Sequence, residues 1–214
     1  MDKTVSTTKP IAIILAAGLS RRMGRPKSEL AWGNGTLVTH VVRLTREHMG
    51  WVTILVRSPF VAPLQGVVDI VNPSPEKGIA ESLRLGLEVV LNRHDFLPIA
   101  IFLADQPFVQ ARDTTEVWTA LLQHPEAMAA RPKYNGRIGH PVLIRSNLLA
   151  SIMKDLSGDE GLGSWLGKRS DVLTVDIAVG SRPNPAWDLD TPEDYALALA
   201  WHEQGEDTDG TKHI

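Results

Sequence analysis

The 214-residue chain contains no cysteine. This absence excludes a disulfide framework, a thiolate metal site and a cysteine nucleophile, and it gives no sign of an oxidising compartment. No apolar run approaches the roughly 20 residues that a membrane-spanning helix needs, and the first residues lack the apolar centre of a signal peptide. We therefore expect a cytoplasmic protein that has no membrane partner.

The sequence also carries little net charge, because basic and acidic residues nearly balance. The formal net charge is −3, so no basic surface for long nucleic acid is expected. The seven histidines stand singly, without the spacing of a zinc site, and the six tryptophans have no basic stripe between them. With 43% hydrophobic residues, the composition is that of an ordinary globular domain that has enough length for a core.

Strand-like and helix-like segments alternate through the first half of the chain. Continuous apolar or β-branched runs predict strands, and apolar residues at helical spacing predict helices between them. The predicted strands are 11–17, 51–56, 67–71 and 99–104, and the predicted helices are 37–48, with Thr36 as its N-cap, and 78–91. This alternation predicts an α/β domain with three layers and a Rossmann-like, mostly parallel central sheet.

The second half of the chain has a less regular pattern. We predict strands at 128–131, 140–145 and 171–177, a turn at 133–139, and a closing helix at 191–202. Residues 1–203 are assigned to a single domain because no linker or repeat interrupts them. The polar and acidic segment 204–214 is predicted to be a frayed tail.

The first predicted strand runs directly into a basic loop, 18–27, which holds two glycines, three arginines and a lysine. Small residues let the backbone approach a ligand, while backbone N–H groups and basic side chains neutralise oxyanions. The loop lacks the glycine spacing of a P-loop and of a dinucleotide fingerprint. It therefore indicates phosphate binding of another kind, the alternative being a glycine-rich turn with solvated basic side chains.

The residues from Leu15 to Lys27 match the pattern L-A-A-G-x-S-x-R-M-G-x-x-K. This pattern resembles the nucleotidyltransferases of the GT-A-like superfamily, and most closely the molybdenum cofactor cytidylyltransferases. The resemblance extends from Pro10 to Ala200 through motifs in the family's order: G-x-A-x-S-L-R from Gly78, L-A-D-Q-P from Leu103, G-H-P-V from Gly139 and D-x-D-T-P-E-D from Asp188. It implies the family's GT-A-like fold for nearly the whole chain.

Two aspartates are the candidate ligands for a divalent cation. Asp105 follows a predicted buried strand, at the end where open α/β sheets place their ligands, although it also fits an Asx turn or a helix cap. The resemblance implies that Asp105 and Asp190 share a Mg²⁺ ion, with Asp188 as the weaker candidate. Asp190 also fits the N-cap position of the last helix.

The resemblance also implies a set of nucleotide-binding residues. Arg22 and Lys27 would hold the triphosphate and act with Asp105 in catalysis, while His140 would position the acceptor or fix a strand edge. The full set is Leu15, Ala16, Ala17, Gly18, Ser20, Arg22, Lys27, Asn72, Gly78, Ser82 and His140. The chain departs from the family at Glu81, where relatives often carry a small residue. It also departs at Leu162 and Gly163, where relatives carry Ala-Arg, and this leaves the acceptor open.

The implied reaction is Mg²⁺-dependent attack of an acceptor phosphate on the α-phosphorus of an NTP, with release of pyrophosphate. The L-A-A-G form, in place of the L-A-G-G of guanylyltransferases, implies CTP as the nucleotide and molybdopterin cofactor as the acceptor. A molybdoenzyme or its chaperone would then be the protein partner. Two alternatives remain: a sugar- or polyol-phosphate nucleotidyltransferase, and a non-catalytic module that delivers a nucleotide or pterin.

Overall fold

The computed structural model describes residues 10–91, 98–156, 158 and 160–206. Its strands are β1 (Ile11–Ala16), β2 (Ala31–Trp32), β3 (Gly35–Thr36), β4 (Val52–Arg57), β5 (Val68–Val71), β6 (Ile99–Leu103), β7 (Ala129–Tyr134), β8 (Arg137–Ile138), β9 (Val142–Ile144) and β10 (Val172–Ile177). Its helices are α1 (Leu37–Arg43), α2 (Ile79–Leu91), α3 (Ala111–Gln123), α4 (Leu149–Asp155), α5 (Leu162–Gly167) and α6 (Pro192–Glu206). A π-helical turn, Leu44–His48, continues α1.

The main sheet has the strand order β10-β7-β9-β6-β1-β4-β5, with β8 paired to β7. The central strand β1 is parallel to both of its neighbours, β4 and β6, and all six of its residues are buried. Strand β9 is antiparallel to β6 and to β7, so the sheet is mixed. The prediction of an α/β fold with a mostly parallel central sheet is confirmed.

Helices cover both faces of this sheet, because successive side chains of a strand point to opposite sides. Ala12 and Ile14 of β1 belong to the hydrophobic cluster that includes residues of α1 and α3. Ile13 belongs to the opposite cluster, with residues of α2, α4 and α5. Helix α2 approaches β1 closely at Gly86, where an added Cβ would lie 2.7 Å from Cγ2 of Ile13.

Several elements differ from the sequence-based expectation. Helix α3 forms in a stretch for which no element is predicted, and the Gln110 N–H donates to Asp113 Oδ2 at its start, at 3.0 Å. The predicted cap at Thr36 is confirmed, since its hydroxyl oxygen accepts the Thr39 N–H. Helix α6 runs on to Glu206, into the segment predicted as a tail, and residues 207–214 lie outside the described residues.

The carboxyl ends of β1 and β6 lie side by side at one edge of the sheet, because the two strands are adjacent and parallel. The loop 17–30 leaves β1 at this edge, and Asp105 follows β6 two residues after its end. Such an edge is where open α/β sheets bind their ligands. None of the described helices combines the length and the apolar character that crossing a membrane requires.

Candidate active site

The loop after β1 is fixed by Ser20 and Gly24, which flank a short 3₁₀ turn, Arg21–Met23. Both residues have left-handed backbone angles, with φ of 48° at Ser20 and 66° at Gly24. Serine rarely adopts this conformation, and here its hydroxyl oxygen accepts the Lys27 N–H at 2.9 Å. The loop is thereby closed on itself, and Lys27 is held at the edge of the sheet.

A cavity of about 390 Å³ opens at this edge, between the loop after β1 and the start of α2. This volume is in the range of small-molecule sites. Most of the predicted nucleotide-binding residues line it: Leu15, Ala16, Ala17, Gly18, Ser20, Lys27, Gly78 and Ser82, together with Asp105. Gly78 has a φ of 91°, which only glycine adopts readily, and it directs the chain into α2 along the cavity wall.

Lys27 joins the loop to both predicted metal ligands. Its Nζ atom lies 2.5 Å from Asp105 Oδ2 and 2.8 Å from Asp190 Oδ1. Burial lowers the pKa of the ammonium, but the charges and hydrogen bonds of the two carboxylates outweigh it, Asp105 first, so the pKa lies above its ordinary value. Lys27 is therefore a partly buried, permanently charged group at the cavity.

Arg22 extends the same cluster from the solvent side. Its Nη2 atom lies 2.7 Å from Asp190 Oδ2, and its side chain is 66% exposed, against 15% for Lys27. Exposed ion pairs contribute little, so the Lys27 pairs hold this cluster together. The hydrogen bond from Lys27, followed by the charges of Lys27 and Arg22, places the pKa of Asp190 below its ordinary range despite some desolvation.

The alternative role of Asp190 as a helix cap is wrong. The cap belongs to Thr191, whose hydroxyl accepts the Asp194 N–H at 3.1 Å, while Asp194 Oδ2 accepts the Thr191 N–H at 3.0 Å. This reciprocal pair satisfies the start of α6 without Asp190. The Asp190 carboxylate is thus left for Lys27 and Arg22.

The carboxylates suit a small divalent cation with oxygen ligands. Oxygens of Asp105 and Asp190 both lie within 2.8 Å of the Lys27 ammonium, so they already converge on one cation. Over the described ranges, no group of three or more potential metal-ligating side chains converges. Two carboxylates are what Mg²⁺ typically takes from a protein when phosphates and water complete its coordination. The donor set therefore fits Mg²⁺ bound together with a nucleotide.

Asp188 has a different environment from its two neighbours. Its Oδ1 accepts a hydrogen bond from Gln106 Nε2 at 2.7 Å. Burial raises the pKa of Asp188, and the nearby charges of Asp105 and Asp190 raise it further, against the opposing effect of that bond. Gln106 is buried and was not predicted, although it is part of the L-A-D-Q-P motif. Asp188 is therefore bonded to Gln106, whereas Asp105 and Asp190 are bonded to Lys27.

His140 lies outside the main cavity, against a much smaller one that it shares with Leu15 and Glu160. The residue is half-buried, but its Nδ1 atom is sealed from solvent and has no hydrogen-bond partner within the described part of the chain. Desolvation lowers its pKa to about 4, with a small opposing effect of Asp105. A neutral imidazole in this position agrees with a positioning or structural role.

Asn72 and Ser82 are neighbours, but only Ser82 reaches the cavity. Asn72 is fully buried, and its amide nitrogen donates to Ser82 Oγ at 2.9 Å. The structure therefore places Asn72 behind Ser82 and not among the residues that line the cavity. Of the remaining predicted contacts, Arg22 reaches Asp190 instead of the cavity, while the unpredicted Arg21 lines it.

The two departures from the family pattern lie at the starts of α2 and α5. Glu81 forms an ion pair with Arg84 at 2.8 Å and is not among the cavity residues. In the segment 158–163, Asp159 lies outside the described residues, and Glu160 pairs with Lys168 at 2.6 Å. The carbonyl of Gly163, where relatives carry arginine, accepts a long 3.5 Å hydrogen bond from Arg131.

A second cavity, of about 400 Å³, lies between α1, the start of α3 and α6. Several of its polar wall residues already have protein partners. His40 Nε2 lies 2.9 Å from the Pro107 carbonyl oxygen, and Arg182 holds Asp113 with two bonds of 2.8 and 2.6 Å. With these donors satisfied internally, this cavity is the weaker candidate for a ligand site.

Comparison with known proteins agrees with this geometry. The family model of the MobA-like NTP transferase domain matches residues 12–172. The molybdenum cofactor cytidylyltransferase of Escherichia coli strain K12 is 25% identical over 193 residues, which cover 87% of this chain and 93% of that protein.

Solved structures share the fold. Rv0371c from Mycobacterium tuberculosis H37Rv matches with a TM-score of 0.74 and 24% identity, over 90% of this chain and 99% of the other. A structure of Rv0371c in complex with manganese matches with a TM-score of 0.69 and 22% identity, with the same coverage. At these identities the likeness establishes the fold alone.

Proposed function

The chain belongs to the MobA-like NTP transferase family, and from that membership we propose that it is a cytidylyltransferase that acts on the molybdenum–molybdopterin cofactor. It transfers CMP from CTP to the phosphate of that cofactor and releases pyrophosphate. One observation carries this proposal: Lys27 joins the glycine-rich loop to Asp105 and Asp190 at the mouth of a nucleotide-sized cavity. Pure binding of a nucleotide would not need two carboxylates beside the lysine.

The transfer needs positioning and charge neutralisation more than it needs a nucleophile from the protein. An oxygen of the acceptor phosphate forms a new bond to the α-phosphorus, and the bond to the β-phosphate oxygen breaks in line. The electron pair leaves with pyrophosphate. No proton has to be removed from the attacking group, because the acceptor phosphate is already anionic. This agrees with a neutral His140, which is not required as a base.

Lys27 is the group best placed to bind the triphosphate. It is a compact charge at the cavity wall, and its N–H is fixed by Ser20, so its main chain is already ordered before the ligand arrives. Arg22, more exposed, can neutralise the charge that develops on departing pyrophosphate. The backbone N–H groups of the loop, which curls over the cavity, supply further donors.

Asp105 and Asp190 are the residues that would hold Mg²⁺. When bound, the ion would neutralise phosphate charge and draw the reacting phosphates together. The fit rests on the convergence of the two carboxylates in this chain, and the manganese complex of Rv0371c adds that a protein of this fold binds a divalent cation.

The choice of CTP and of a molybdopterin acceptor has separate support. The chain carries Ala16 and Ala17 before Gly18, the form that resembles cytidylyltransferases, and its relative in Escherichia coli is a molybdenum cofactor cytidylyltransferase. A molybdoenzyme or its chaperone is the partner that would receive the product. Because Gly163 stands where relatives carry an arginine, the acceptor is tested directly.

A pyrophosphate-release screen tests the whole proposal. Each of CTP, GTP, UTP and ATP is offered with Mg²⁺ and with molybdenum cofactor or a panel of phosphorylated sugars and polyols. The proposal is supported if pyrophosphate is released from CTP, and only when molybdenum cofactor is the acceptor. Release with a sugar or polyol phosphate identifies the alternative enzyme class. Nucleotide binding without release for any acceptor indicates a delivery module.

A further inference from the structure

The amide of Asn72 has a fixed orientation. Asn72 follows β5 directly and is fully buried. Its Oδ1 accepts the Ser74 N–H at 2.8 Å, and a backbone N–H can be received only by the oxygen of an amide. The nitrogen must therefore point the other way, toward the Oγ of Ser82 at 2.9 Å.

This orientation decides what Ser82 offers to a ligand. A hydroxyl has one proton and can accept through its lone pairs. The Asn72 amide occupies one acceptor position of Ser82, and within the described residues the Ser82 hydroxyl donates to no protein group. Ser82 lines the main cavity in the first turn of α2, close to Gly78. Its proton is thus left for whatever occupies the cavity.

We propose that Asn72 is a positioning residue that fixes the Ser82 hydroxyl as a donor toward the nucleotide, so that the cavity selects a nucleotide edge presenting an acceptor. The inference rests on the proposed function, and it names a specificity device within that same site. Cytosine presents two such acceptors, O2 and N3, side by side. A nucleotide that offers a donor at this position would leave two N–H or O–H groups facing each other without an acceptor.

Aspartate has nearly the same shape as asparagine, and in place of Asn72 it would reverse the direction of the hydrogen bond to Ser82. One carboxylate oxygen still accepts the Ser74 N–H, and the other accepts from the Ser82 hydroxyl. The serine proton then points away from the cavity, and the hydroxyl can only accept from a ligand. The folded structure keeps its turn at Ser74, while the cavity loses its donor.

The experiment measures the dissociation constant of CTP by calorimetry at pH 8, with Mg²⁺ and without any acceptor. Wild type is compared with Asn72→Asp, Ser82→Ala and the double variant. We expect each single change to weaken CTP binding about tenfold, and the double change to weaken it no further than either single change. Such non-additivity arises when both substitutions act through the same hydroxyl.

Asn184 provides a matched control. Its Oδ1 accepts the Ala186 N–H at 2.9 Å and its Nδ2 donates to the Tyr134 carbonyl at 3.0 Å. Like Asn72, it therefore accepts from the backbone two residues ahead and donates through its amide nitrogen, but the residue it donates to, unlike Ser82, does not line the cavity. Asn184→Asp should change the melting temperature but leave CTP affinity within twofold of wild type.

The outcomes separate the inference from the proposed function. If the wild type binds none of the four NTPs, the proposed function fails and the inference with it. If the wild type binds CTP but Asn72→Asp binds it equally well, the inference alone is overturned. Independent, additive losses from Asn72→Asp and Ser82→Ala overturn it as well. Should Asn72→Asp fail to fold, unchanged CTP affinity in Ser82→Ala still overturns it.

Discussion

The Nζ atom of Lys27 lies 2.5 Å from Oδ2 of Asp105, so a residue of the first loop and a residue after β6 meet across 78 positions of the chain. The same ammonium reaches Asp190, which comes from the far end of the sequence. In the free protein it neutralises two carboxylates that would otherwise repel each other. A bound triphosphate offers the ammonium a more negative partner, and the two carboxylates then have oxygens free for a cation.

The first prediction concerns Lys27. Lys27→Ala should reduce both CTP affinity and turnover, each by roughly ten- to a hundredfold, because it removes the only lysine ammonium among the described residues that line the cavity. Calorimetry with CTP and steady-state pyrophosphate release measure the two effects separately. Arg22→Ala should lower mainly turnover, since Arg22 does not line the cavity.

Two further variants make the Lys27 result specific. Lys27→Arg should restore only part of the activity, because a planar fork replaces a point charge between two carboxylates. The exposed Lys154 on α4 is the control, and Lys154→Ala should behave as wild type. Activity within twofold of wild type in both Lys27→Ala and Arg22→Ala would contradict the assignment of this loop.

The second prediction concerns the carboxylates. Asp105→Asn should abolish Mg²⁺-dependent turnover while the free energy of unfolding stays within about 1–2 kcal/mol of wild type. Asp190→Asn should show a smaller loss of turnover, because Asp190 is more exposed than Asp105, at 42% against 21% of the side chain. Turnover is measured across a Mg²⁺ titration, and Mn²⁺ binding in the presence of CTP is followed by the spin-resonance signal of the free ion.

The end of β10 and the start of α6 supply the controls for this experiment. Asp176→Asn removes an exposed carboxylate that pairs with Lys133, and it should leave the metal titration unchanged. Thr191→Ala removes the cap of α6, so it should cost about 1 kcal/mol of stability without loss of metal dependence. An unaltered metal titration for Asp105→Asn would show that this aspartate only serves the turn after β6.

The third prediction is a pH dependence of stability that arises from His140. Desolvation lowers its pKa from 6.5 to about 4 in the folded protein. Between these two values the unfolded chain binds a proton that the folded chain does not, so stability rises with pH across this window. We expect His140→Gln to remove roughly 1–3 kcal/mol of the pH-dependent change in unfolding free energy.

Urea unfolding at several pH values between 4 and 7.5 measures this effect. An identical slope in wild type and His140→Gln would show that the imidazole is solvated in the folded protein.

The sequence predicts the parts of this fold that are built from local patterns. Strands β1 and β6 are recognisable because parallel strands buried on both faces are continuous apolar runs. Thr36 is recognisable as a cap because its hydroxyl bonds within one turn of helix. The cavity at the ends of β1 and β6 follows from the order of these elements, since ligands bind where parallel strands end.

Features that depend on distant contacts could not be predicted in the same way. Helix α3 depends on the buried Asp113, which is held by Arg182 from a segment 69 residues away. Whether Asp190 caps α6 or pairs with Lys27 depends on where the first loop lies in space. The buried position of Asn72 depends likewise on the packing of α2 against the sheet, and the sequence suggests only that it lies near the site.

The last prediction concerns the choice of nucleotide. Ala17 lines the cavity next to Gly18, at the wall against which the proposed function places the base of the nucleotide. A purine needs more room there than a pyrimidine. We expect the wild type to prefer CTP over GTP by at least roughly tenfold in kcat/KM, which corresponds to about 1.4 kcal/mol. Ala17→Gly should narrow this gap because it removes the methyl group and enlarges the cavity, whereas Ala17→Ser keeps the β-carbon and should preserve most of the preference.

Steady-state kinetics with both nucleotides and one fixed acceptor measure the ratio of kcat/KM for CTP to kcat/KM for GTP in all three proteins. Equal use of CTP and GTP by the wild type, or a preference for another NTP with a sugar phosphate, would contradict the cytidylyltransferase assignment.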